Sequence, residues 1–148
     1  FHPDHIANVQ HIKWESLYQG KNTYKYTHIG EIVESDINVD ETYIKLRIFQ
    51  MPSSHAKGSL ALLVNNKYCL LGDALYPAHK GDKTVYNAGI LKQQIDILKK
   101  MAAPYVLLSH REPFVQKKQA VISWLEKIYA MREKNEPWIL MTGQNVPN

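Results

Sequence analysis

Leu60-Ala61-Leu62-Leu63-Val64-Asn65-Asn66-Lys67-Tyr68-Cys69-Leu70-Leu71-Gly72-Asp73 is the stretch from which the fold is read. A continuous apolar run, two asparagines and a second apolar run spell a β-hairpin, because asparagine suits a two-residue turn between strands. The first strand starts just after Pro52-Ser53-Ser54-His55-Ala56-Lys57-Gly58-Ser59, and the second ends at Gly72-Asp73. His55 and Asp73 therefore leave strand ends along one rim of a sheet, where scaffolds commonly present functional groups.

Upstream, Ile44, Leu46 and Ile48 alternate with Lys45 and Arg47, which predicts a half-buried strand over Thr42 to Phe49. The polar, tyrosine-rich stretch from Gly20 to Gly30 reads as a loop with short edge strands. A short helix is expected from Ile6 to Ile12, with Asp4 at its start. Downstream, a loop rich in Pro, Gly and Lys runs through Asp82. A helix follows from about Asn87 to Met101, with Leu91, Gln94, Ile95 and Leu98 on one face. Pro104 precedes a strand, Tyr105 to Leu108. A last helix is expected from Val115 to Lys134, with Val121, Trp124, Leu125 and Ile128 as its buried stripe, and Pro137 ends it. The tail from Trp138 to Asn148 adds at most a short strand. This order predicts one α/β layered domain with a mostly antiparallel sheet.

At 148 residues the chain suffices for one domain with its own core, and its 45% hydrophobic and 22% charged residues are ordinary for a globular protein. No apolar run approaches the roughly 20 residues of a membrane span. The net charge of +4 raises the question of nucleic acid. Its lysines are dispersed, however, as at Lys21 and Lys25 or Lys117 and Lys118, and form no block with interleaved aromatics. Solvated faces are the better reading. A single cysteine, Cys69, excludes an intramolecular disulfide framework and suits a reducing, cytoplasmic setting.

The chemistry concentrates at Phe1-His2-Pro3-Asp4-His5, where two imidazoles and a carboxylate within one turn suit zinc or a similar divalent ion. Two further stretches join it and the His55 loop: Leu70-Leu71-Gly72-Asp73 and Leu107-Leu108-Ser109-His110. Singly, each has a plain structural reading as a loop, turn or surface residue. Taken in order they resemble the signature of the metallo-β-lactamase-fold hydrolases: His-x-His-x-Asp-His after a strand, a His before Gly-Ser, a Gly-Asp and a final His. The chain matches the first motif except for its opening histidine. The resemblance thus begins in mid-motif and predicts a histidine immediately before Phe1, with more sequence upstream.

That resemblance implies a four-layer αββα sandwich, of which this chain is the second half plus the end of the first. The missing N-terminal segment of the same domain would be a partner, covering an apolar sheet face. It also implies two divalent ions, Zn²⁺ foremost, with Mn²⁺ or Fe as alternatives. His2 and His55, with the preceding histidine, would hold one ion, and Asp4, His5 and His110 the other, with Asp73 bridging. Such a pair makes hydroxide near neutral pH and polarises a scissile group. Asp4 would orient the attacking water. Tyr76 stands where the acyl-homoserine lactonases of this family present a hydroxyl to the substrate carbonyl, although most relatives use an aromatic there for packing. His2, where the flavodiiron relatives carry glutamate, favours hydrolysis over redox chemistry. Residues 74–109 leave no room for the inserted domain of nucleic-acid-processing relatives.

The expectation is therefore a metal-dependent hydrolase of a small-molecule ester, thioester or lactone. The alternatives are a non-catalytic fragment, a metal-binding piece of a nicked complex, or a phosphodiesterase of the same superfamily. Arg111 either meets an anionic substrate or pairs with Glu112, and the ion pair is the expected role. His11 and His28 read as surface residues.

Overall fold

The structure, a computed structural model, describes residues 6–142. His2, Asp4 and His5, and the start of the first expected helix, lie outside the described residues. The chain order is β1 (Tyr18–Gln19), α1 (Lys21–Thr27), β2 (Glu31–Ile32), β3 (Ile37–Asp40), β4 (Lys45–Gln50), β5 (Leu60–Val64) and β6 (Tyr68–Gly72). Then come β7 (Ala78–Lys80), β8 (Lys83–Asn87), α2 (Ala88–Lys100), β9 (Tyr105–Leu108), β10 (Val115–Lys117), α3 (Lys118–Ala130) and β11 (Trp138–Met141).

The β5–β6 hairpin forms where the sequence predicts it. Asn65 and Asn66 take φ of 50° and 52°, the left-handed pair that keeps the turn's twist in step with the strands. Asn65 Oδ1 also accepts the Lys45 N–H at 2.7 Å, pinning the turn to β4. From this hairpin a six-stranded sheet extends in the order β10-β9-β6-β5-β4-β3. Every neighbouring pair is antiparallel except β6 and β9, which run parallel. A second sheet, β11-β8-β7, is wholly antiparallel.

Period-two alternation sorts the large sheet into two faces. Phe49, Ala61, Leu63, Cys69, Leu71, Val106 and Leu108 join one buried cluster with Leu91, Ile95 and Leu98 of α2 and Val121, Ile122 and Leu125 of α3. Tyr86, Ile139 and Met141 of the smaller sheet complete that cluster. The opposite face is also apolar. Ile37, Ile48, Leu62, Leu70, Leu107 and Val115 lie directly opposite one another across all six strands. None of them is buried, and Leu70 and Val115 are 38% and 44% exposed.

Several expectations are corrected. The stretch from Gly20 to Gly30 holds helix α1, entered from extended Gly20 and closed by left-handed His28, whose N–H bonds to Tyr24 O. The helix buries no residue, so no apolar stripe announces it in the sequence. The last helix starts three residues later than predicted, because Val115–Lys117 is drawn into the sheet edge against β9. It ends at Ala130, not Lys134, and Trp124 is only partly buried. The helix does not continue from Ile6 to Ile12: after helical Ile6 the chain turns at Ala7-Asn8 and makes a short 3₁₀ helix, Val9–His11, with no side-chain cap. The loop after Asp73 includes a β7–β8 hairpin around left-handed Gly81.

Candidate metal centre

Three chain segments meet at one end of the large sheet. β6 and β9 are parallel neighbours, with Gly72 opposite Leu108, so Asp73 and Ser109-His110 leave adjacent strands on the same side. β5 is antiparallel to β6, so the loop that precedes it, carrying His55, reaches that same edge. One backbone bond ties two of the segments and another closes the His55 loop on itself. Ser109 N–H donates to Gly72 O at 3.2 Å, and Met51 N–H donates to Ser59 O at 2.9 Å. His110 is left-handed, with φ 58°, which turns the chain sharply off the strand end.

The His55 loop owes its shape to its own polar residues. Ser53 Oγ accepts the N–H groups of both His55 and Ala56 at 3.1 Å, the local bonding that serine offers at turns. Ser54 Oγ accepts the Asn87 N–H at 3.0 Å, so this loop is tied to the residue that caps α2. Gln94 is fully buried on α2. Its amide donates to Pro52 O at 2.8 Å and Ala74 O at 2.7 Å, fixing the approaches to His55 and Asp73 together. Gly20 packs so closely on this loop that an added Cβ would sit 2.1 Å from Gly58 O.

At the centre, His55 Nδ1 donates to Pro77 O at 2.9 Å. A carbonyl only accepts, so Nδ1 carries a proton, and in the neutral ring the lone pair is on Nε2. That Nε2 stands 3.9 Å from Asp73 Oδ2, and His110 Nε2 stands 3.8 Å from Asp73 Oδ1. Each imidazole faces a different oxygen of one carboxylate. Both separations exceed hydrogen-bond length. His55 and Asp73 are largely withdrawn from solvent, with 17% and 11% of their side chains exposed, while His110 is 77% exposed at the rim. A cleft of about 270 Å³ opens here, lined by His55, Asp73 and Ser109 and bordered by Thr23 of α1.

The donor types, though not their present spacing, are those of a divalent-ion site. Neutral imidazole nitrogens and a carboxylate are what zinc, manganese or iron take, and a ring oriented through Nδ1 by a backbone carbonyl is the usual support for a ligand histidine. Among the described residues no three His, Cys, Asp or Glu side chains close tightly enough to hold an ion by themselves. His2, Asp4 and His5, expected to complete the set, are not among them.

Tyr76 lies beside this set. Its ring meets that of His55 edge-on at 6.2 Å, and its hydroxyl donates to Ser109 O. Burial raises the phenol's pKa above its ordinary value; Arg111 opposes the rise and the Asp73 charge adds to it. The hydroxyl therefore keeps its proton at neutral pH. Arg111 does not make the ion pair expected with Glu112. Its guanidinium lies 4.7 Å from the Trp124 ring centroid, a cation–π contact. His11 and His28 are exposed, away from the cleft, as predicted.

The sequence reading passed over the support layer. Gln94 reads as one more residue of a helix face, and only its full burial marks it as a polar clamp.

No protein-family model, curated protein or solved structure matches the chain.

Proposed function

We propose that the chain is the metal-bearing part of a binuclear metal-dependent hydrolase acting on an ester, thioester or lactone. One observation carries the reading: His55 and His110 approach opposite oxygens of Asp73, as expected for a carboxylate shared between two ions. His55 would belong to one ion and His110 to the other. His2, Asp4 and His5 are proposed to complete the two sets. Zn²⁺ is the preferred ion, with Mn²⁺ or Fe as alternatives. Bound metal would supply hydroxide near neutral pH and polarise the scissile group.

The chain's own residues have separate tasks. Pro77 O keeps the His55 lone pair on Nε2. Asp4 is proposed to orient the water. Tyr76, protonated at neutral pH, is the proposed donor to the reacting carbonyl oxygen, a role that requires it to exchange Ser109 O for substrate.

The finer architecture belongs to the same proposal. A row of unburied apolar residues from Ile37 to Val115 supports an αββα sandwich, because a sheet apolar on both faces suits burial on both. A second sheet from the same domain is its proposed cover. The lone buried thiol suits the cytoplasm. Among the described residues no helix is long and apolar enough to cross a membrane.

The test uses the whole polypeptide that the gene encodes. Metal content is measured, and initial rates are taken on a lactone, a glutathione thioester, a phosphodiester and a β-lactam, with Zn²⁺ or Mn²⁺ and after chelation. Chelator-sensitive turnover of the lactone or thioester is expected. A folded polypeptide that takes up no metal would overturn the reading.

A further inference from the structure

A second and larger cleft, about 650 Å³, adjoins the metal centre and shares Gly58 and Ser59 with it as a dividing wall. Its volume falls in the range of small-molecule sites. Its walls have two chemistries. Met51, Pro52, Ile90 and Ile97 give it an apolar side, and Lys21, Lys57 and Lys100 stand around it. One carboxylate, Asp96, also reaches the cleft, but Lys92 Nζ holds it at 2.6 Å. Lys99, next in the chain, is drawn the other way to Glu126 on α3. Among the described residues, neither Lys21 nor Lys100 makes an ion pair.

We propose that this cleft binds an amphiphilic anion, a carboxylate or phosphate on a short apolar chain, and that it holds the anionic tail of the substrate while the reacting group lies at the metal centre. The second half of this statement rests on the hydrolase reading; the first does not. Lysines from three separate segments (the start of α1, the His55 loop and the end of α2) line one cavity, so an anion lodged there lies within reach of exposed, flexible ammonium groups. The apolar side, where Ile90 and Ile97 are only half-buried and so still offer surface, favours a hydrocarbon chain over a fully hydrated ion. An extended nucleic-acid backbone would want a basic track along the surface, whereas these charges surround a pocket.

The test is a titration of the whole polypeptide with octanoate and with octyl phosphate, chelator present so that no metal can bind either head group. Octanol serves as the neutral control. Saturable binding of at least one anion is expected, at least about tenfold tighter than octanol and weakening with added salt. The double variant Lys21→Glu, Lys100→Glu should weaken it a further five- to tenfold, roughly, while Lys25→Glu, outside the cleft, leaves it unchanged. Equal binding of octanol and the anions, or an unaffected double variant, overturns the proposal. Turnover and metal uptake are measured on the same preparations. Anion binding without metal uptake would sink the hydrolase reading and leave the cleft; turnover without anion binding would do the reverse.

Discussion

Gln94 donates its side-chain amide to the carbonyl of Ala74 at 2.7 Å, and so anchors the residue after Asp73 to the middle of α2. Its second bond, to Pro52 O, anchors the approach to His55. Two loops far apart in sequence thus share one buried clamp. Gln94→Leu keeps the apolar volume but leaves two carbonyls without this donor, each at a cost of about 1–3 kcal/mol. Removal of Gln94 Oε1, buried without a partner, offsets part of this, so a loss of roughly 2–4 kcal/mol is expected in urea denaturation, together with weaker zinc binding. An unchanged midpoint would mean that the clamp holds nothing.

If Asp73 is the proposed bridging ligand, a change there separates metal binding from folding. Asp73→Asn retains shape but loses the charge that two ions would share. Zinc affinity by calorimetry should fall at least about 100-fold, beyond what outer-shell changes produce. The metal-free melting temperature should hold or rise, since a largely buried carboxylate has been neutralised.

The hairpin turn offers a stabilising change. Asn66 is left-handed at φ 52°, a conformation glycine adopts without a Cβ penalty, and its side chain takes no part in the bond that Asn65 makes to Lys45. Asn66→Gly should raise stability by about 0.5–1 kcal/mol. Asn65→Gly, which removes the bond to Lys45, should gain less or lose.

Cys69 makes the fold sensitive to alkali. It is fully buried, and burial pushes its thiol from an ordinary 9.0 to about 12, with the Arg47 charge opposing. The folded state therefore holds this proton more tightly than the unfolded state. Stability from this group is intact below pH 9 and declines from there to about pH 12, by roughly 1.4 kcal/mol per pH unit. Cys69→Ala should flatten that part of the pH–stability curve. The native thiol should also resist aromatic disulfide reagents at pH 8 and react at once in denaturant.

The parts of the fold that bury a periodic stripe are the parts the sequence discloses. Leu91, Gln94, Ile95 and Leu98 are the buried face of α2 as their spacing predicts, and Tyr105–Leu108 forms its strand residue for residue. Helix α1 buries nothing and is shaped by its ends, at Gly20 and His28, so periodicity is silent there. Val115–Lys117 reads as helix locally and becomes strand because the free edge of β9 offers it partners, a tertiary effect. At the site, the nearness of His55 and Asp73 is legible because both leave strand ends on one rim; only the resemblance joins His110 to them. Arg111 was not: a charge next to Glu112 in sequence turns to the face of Trp124, which only the packing of α3 brings near.

Parallel pairing of β6 with β9 bears on how the molecule is assembled. Parallel strands need a long crossover, and here residues 73–104, with β7, β8 and α2, supply it. The β5–β6 hairpin closes over a two-residue turn and can form early, while Asp73 meets His110 only after the crossover has been closed against its entropy. An intermediate with the hairpin but without β9 has the carboxylate and half its neighbours. Ion uptake would thus couple to the slowest, most non-local contact in the sheet and lower the population of every species in which that contact is open.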